Sequence, residues 1–123
     1  MSRPRSKGAT PVGLAWVQGR SMEPVLVSGD LLLVRHGADV QPGLLVLARF
    51  PDGMLVVKRV AEARSTRTGS PGWWLLSDSP AEGVDSRHRG VIADEDVLAV
   101  VLARLWPSPR RARRLGRAGG VAT

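Results

Sequence analysis

Apolar residues along this chain fall in short runs of strand length, broken by glycine, proline, aspartate and serine. Val12 to Val17 is the first run and ends at Gln18-Gly19. Arg20 to Pro24 reads as a turn, because Pro24 holds Glu23 in extended geometry. Ser28-Gly29-Asp30 is a second turn signal, and Leu31 to Arg35 is a strand. Gly37 to Gly43 is a loop, and Leu44 to Phe50 is the next strand. Pro51-Asp52-Gly53 has hairpin character and leads into a returning strand from Met54 to Ala61, rich in β-branched residues.

The second half is more polar. Residues 64–72 read as a loop, Trp73 to Leu76 as a short strand, and Ser77 to Gly90 as a long irregular loop dense in Asp, Ser, Gly and Arg. Loops of that length inside small domains are often functional. Asp94 to Asp96 opens the last element, and Val97 to Leu105 is apolar nearly throughout, which predicts a buried strand over a helix. Many short strands between turn signals, with little helix and no internal repeat, predict a mainly β fold: a small, coiled, barrel-like sheet.

Composition narrows the chemistry. With 123 residues the chain suits one domain, expected over 11–107, with a basic arm at 1–10 and a disordered Arg-rich tail at 108–123. There is no cysteine, which removes disulfide scaffolds, thiolate metal sites and Cys nucleophiles. Two histidines, His36 and His88, are too few for a His-rich metal site, so neither metal nor cofactor is expected. No apolar run approaches the ~20 residues that cross a bilayer, and no signal-peptide core follows the basic N-terminus. A cytoplasmic protein is expected, with peripheral membrane contact through the basic tail as its membrane option. The formal charge of +7 is concentrated at the two ends and permits nucleic-acid binding. The strands, however, lack an interleaved aromatic and basic surface.

Three segments carry candidate chemistry: Gly19 to Pro24, Val56 to Arg59, and Ser77 to Gly90. A serine such as Ser21 needs a base to become a nucleophile. The histidines have no partner carboxylate in a triad order, whereas Lys58 lies among Leu55, Val56, Val57 and Val60. Burial there disfavours the ammonium and lowers the lysine pKa, and Ser–Lys pairs are a known variant of triad logic. Each residue also has a plain reading. Ser21 alone is a turn residue, and Met22 is packing. Lys58 points to solvent if Val57 takes the core side. Asp85 and Arg87 form a surface ion pair. Their joint order is what separates the two readings.

That order resembles the signal peptidase I family. The segment GRSMEPVLVSGDLLLV is similar to its nucleophile box, VVKRV to its lysine box, and WWLLSDSPAEGVDSRHRG to its third box, which typically opens Gly-Asp-Asn. The resemblance implies that Ser21 attacks the scissile carbonyl and Lys58 accepts its proton. It implies an oxyanion contribution from the Ser21 backbone N–H, within a nucleophile turn of Gly19, Met22 and Pro24. Gly29 and Asp30 would set the turn behind it, Arg59 would be structural, Asp85 and Arg87 would brace the last loop against the site, and Asp78 and Ser86 would be supporting. Two departures stand out. Gly-Asp-Asn is replaced by Ser77-Asp78-Ser79, and the family serine that orients the lysine falls at Gly83, leaving Ser79 or Ser86 as replacements.

Typical members carry a transmembrane anchor and a large insert before the third box. The compact spacing here, the GWWLL lead and the LARLWP close resemble short, unanchored members that mature nickel-type superoxide dismutase. The implied partner is a propeptide-bearing precursor of that enzyme. Three other readings compete: a LexA-like self-cleaving peptidase domain, a non-enzymatic basic β module that binds nucleic acid, and an inactive relative.

Overall fold

A computed structural model describes residues 11–116. The chain builds strands β1 (Val12–Trp16), β2 (Leu31–His36), β3 (Leu45–Arg49), β4 (Leu55–Ser65), β5 (Pro71–Leu76), β6 (Ile92–Ala93), β7 (Val97–Trp106) and β8 (Arg110–Arg111). One four-residue helix, α1 (Ser86–Arg89), and two 3-10 turns complete the described residues. The strands form one curled antiparallel sheet in the order β1-β2-β7-β3-β4-β5-β6, with β8 added to β7. The fold is mainly β, as the alternation of short strands and turns predicts.

Sequence neighbours make the hairpins. Phe50 and Met54 close the turn at 51–53, where the Phe50 N–H donates to the Met54 carbonyl at 2.9 Å. β7 is the long-range element. It lies between β2 and β3 and pairs with both, so it joins the two halves of the sheet.

Both faces of the central strands are covered. Leu45 and Leu47 of β3 pack in one cluster with Val17, Met22, Leu26, Leu32, Val34, Ala99 and Val101. Val46 and Ala48 face the other way, into a second cluster with Phe50, Val60, Leu75, Ile92, Val97 and Val100. This explains why these runs are continuously apolar rather than alternating. It also explains why alternation fails to send Lys58 to solvent. Val57 packs against the first cluster, while Lys58, on the opposite face, is only 2% exposed.

Two expectations need correction. Residues 110–115, expected within a disordered tail, are structured. Arg110 and Arg111 pair with Arg104 and Ala103 of β7, and Leu115 is buried in the first cluster. An Arg-rich run reads as solvated because its charges dominate, yet one leucine within it docks. The loop expected at 64–72 is also shorter, because β4 runs to Ser65 and β5 starts at Pro71. The basic arm at 1–10 and residues 117–123 lie outside the described residues. Among the described residues, no helix is long and apolar enough to cross a membrane.

Candidate active site

Ser21 opens the turn between β1 and β2. Gly19 enters that turn with a φ of 81°, a conformation that favours glycine. A Cβ added at Gly19 would meet nothing within 4 Å, so backbone conformation rather than crowding selects the residue. Met22 and Leu26 are buried and pin the turn to the first cluster, and the Leu26 N–H donates to the Met22 carbonyl at 2.9 Å. Pro24 is exposed and follows a cis peptide bond. Behind the turn, Gly29 adopts a φ of 97° and donates its N–H to Val17. The buried Asp30 carboxylate accepts from the Val27 N–H at 2.9 Å and lies 3.5 Å from Arg104 Nη1. These contacts leave Ser21 half-buried and fixed in direction.

Lys58 reaches this serine from the middle of β4. Its Nζ lies 2.8 Å from Ser21 Oγ, across 37 residues of sequence. A second hydroxyl is also within hydrogen-bond reach: Lys58 Nζ donates to Ser77 Oγ at 3.0 Å, and Ser77 is buried. Burial lowers the Lys58 pKa. The Asp85 carboxylate opposes that shift and the Arg87 guanidinium adds to it. The net direction favours a neutral amine, the form able to take a proton from a hydroxyl.

The third segment is folded tightly around Asp85. Its fully buried carboxylate accepts from the Ser77 N–H at 2.8 Å, from the Arg87 N–H at 3.0 Å and from Arg87 Nε at 3.0 Å. Burial alone would raise the Asp85 pKa, but these hydrogen bonds outweigh it and the net shift is downward. Asp85 also caps α1, and Arg87 extends to the Pro80 carbonyl at 2.8 Å. Ser86 is buried, and its Oγ accepts from the Leu75 N–H at 2.9 Å. The stretch expected as one irregular loop is therefore a bracket, tied at both ends to β5.

Arg59, next to Lys58, points the other way. Its guanidinium makes a two-pronged ion pair with Asp78, at 2.9 and 2.7 Å, and donates to the carbonyls of Gly43 and Leu115. Asp78 in turn donates its N–H to the Met22 sulfur at 3.4 Å, and the Ser79 N–H donates to the Ser21 carbonyl at 2.8 Å. The third segment thus grips the turn that carries Ser21 through two backbone N–H groups.

The structure brings Ser21, Lys58, Met22, Asp78, Asp85 and Arg87 into one neighbourhood. Gly29, Asp30, Pro24 and Ser86 lie behind or beside it. Sequence reasoning missed Ser77 as a partner of Lys58. Neither replacement weighed for the missing hydroxyl has that contact: Ser86 Oγ is bonded to β5, and Ser79 holds Ser21 through its backbone. The available signal was the departure from Gly-Asp-Asn, a serine where glycine is usual. Among the described residues, no group of three or more His, Cys, Asp or Glu could hold a metal.

A serine hydroxyl within hydrogen-bond reach of a buried lysine amine, on a curled antiparallel sheet, is an arrangement suited to hydrolytic chemistry. The family model described as Peptidase S24-like matches residues 3–101. The chain belongs to that family of serine peptidases, of the signal peptidase I and LexA type. No curated protein matches the chain.

Proposed function

We propose that this protein is a serine endopeptidase with Ser21 as nucleophile and Lys58 as general base, and that it removes the N-terminal propeptide of a nickel-type superoxide dismutase precursor. The observation that carries the dyad is the 2.8 Å approach of Nζ to Oγ in a site where Lys58 is cut off from water. Support for the substrate is the resemblance in spacing and in the GWWLL and LARLWP segments to short, unanchored maturation proteases.

Neutral Lys58 takes the Ser21 Oγ proton as Oγ bonds to the scissile carbonyl carbon. The Ser21 backbone N–H contributes to stabilising the resulting oxyanion. When the C–N bond breaks, the Lys58 ammonium returns its proton to the leaving amine, leaving an acyl ester on Ser21. Water then attacks the ester. Lys58 takes the water proton and passes it to the departing Ser21 oxygen, so dyad and proton count are restored. Asp85 and Arg87 hold the third segment against the site, and Asp78 with Arg59 sets its entry.

The test of the substrate is incubation of the purified full chain with the precursor, followed by mass spectrometry of the products. A single cut that exposes the mature N-terminus supports the assignment. An untouched precursor, under conditions where the chain cleaves other peptides, removes it. Family membership also favours a second reading, a self-cleaving domain of the LexA type. Cleavage within the chain itself, at a rate independent of its concentration, selects that alternative.

A further inference from the structure

Lys58 is held by a second hydroxyl besides that of Ser21. Lys58 Nζ has two close hydroxyls, Ser21 Oγ at 2.8 Å and Ser77 Oγ at 3.0 Å. Ser21 must turn its oxygen toward the substrate as the reaction begins, and Ser77, the other hydroxyl bonded to Nζ, remains to hold the amine. At residue 83, where the family pattern would supply a serine, this chain has glycine with a φ of 72°. A Cβ built there would lie 2.6 Å from the Ser21 Cβ and 3.6 Å from Lys58 Nζ. Position 83 therefore does face the dyad, but this backbone leaves it no room for a side chain.

Resting on the assignment of Ser21 and Lys58 above, we propose that Ser77 is the positioning residue of Lys58. Ser77 suits this function because both its ends are held. Its N–H donates to the buried Asp85 carboxylate at 2.8 Å, and its hydroxyl meets Lys58 inside the site. The neighbouring Asp78 is fixed by Arg59. A hydroxyl mounted this rigidly restricts the amine to the side of Ser21, and loss of about 1 Å of alignment typically costs on the order of 100-fold in rate. Asp85 and Arg87, paired with each other, are the ionised groups of the third segment that act on Lys58, the carboxylate raising its pKa and the guanidinium lowering it.

The experiment compares wild type with Ser77→Ala, Ser77→Gly and Ser77→Thr on one peptide substrate across pH, with thermal unfolding measured in parallel. Ser77→Gly places the family's usual residue at that position and guards against a folding failure in the alanine variant. The expected result for Ala and Gly is a fall in kcat of about 10–100-fold with KM within about twofold. The acid limb of the pH profile moves to lower pH, because the ammonium loses an acceptor. Ser77→Thr, which keeps the hydroxyl, recovers most of kcat and the original limb. Unchanged kcat in Ala and Gly, an acid limb that stays in place, or a loss that Thr does not repair overturns the proposal. Ser21→Ala and Lys58→Met run beside them. If those two retain activity, the dyad assignment itself is wrong; if they are inactive while the Ser77 variants match wild type, only the positioning proposal fails.

Discussion

Leu115 hands its backbone carbonyl to Arg59, a residue 56 positions earlier, at 2.9 Å, and the same guanidinium nitrogen also bonds Asp78. Through this contact the C-terminal segment is connected to the entry of the third box. Removal of everything after Pro107 is expected to lower the melting temperature and to reduce cleavage, because Arg59 loses a partner and the first cluster loses a buried side chain. Leu115→Ala isolates the packing component and should cost about 2–5 kcal/mol of stability. A truncated chain that melts and cleaves like the full one would show the segment to be dispensable.

Lys58 is a liability for the fold. Its pKa is lowered in the folded state, so between the folded value and the ordinary value of about 10.4 the unfolded chain binds more protons. Stability therefore rises with pH through that window. Lys58→Met should be more stable than wild type, with the advantage largest below the lowered pKa and vanishing above the ordinary one. Denaturant unfolding at several pH values measures this. An advantage that grew with pH would contradict the burial argument.

Activity should follow the protonation of the same group. Cleavage needs the neutral amine, so kcat/KM climbs with pH through the lowered Lys58 pKa. Asp85 opposes the lowering, and Asp85→Asn should move the acid limb further down while destabilising the bracket around residues 77–90. The lowered Asp85 pKa means its stabilising effect is present above the ordinary carboxylate value and is lost as pH falls through the folded one. A limb that moves upward in Asp85→Asn would refute the electrostatic part of the account.

Gly83→Ala tests the crowding at the dyad. The left-handed backbone costs an alanine about 1–2 kcal/mol, and its Cβ would press on the Ser21 Cβ at 2.6 Å. The expected outcome is a loss of kcat out of proportion to the loss of stability. Wild-type activity in this variant would mean that the 83 segment moves away from Ser21 in solution.

The strands were legible in the sequence because their apolar runs are punctuated by turn residues, and the 51–53 hairpin forms where Pro-Asp-Gly marks it. Strand order was not. β7 pairs with β2 and β3 across most of the chain, and nothing local encodes those partners. Ser21 and Lys58 could be named from the order of their boxes. The burial of Lys58 could not be read from alternation, because β4 is covered on both faces. Ser77 escaped notice because its six-residue displacement from Gly83 disappears only when the third segment folds around Asp85. Leu115 was hidden among arginines, whose charge predicts solvation for the run as a whole.

The central claim is that Ser21 and Lys58 work as one nucleophile and base. The most direct measurement is cleavage of a single peptide substrate by wild type, Ser21→Ala, Lys58→Met and the double variant, each verified as folded by circular dichroism. The account predicts that either substitution alone removes activity to background and that the double variant loses nothing further. Substantial cleavage by Ser21→Ala or by Lys58→Met, in a folded chain, would contradict it.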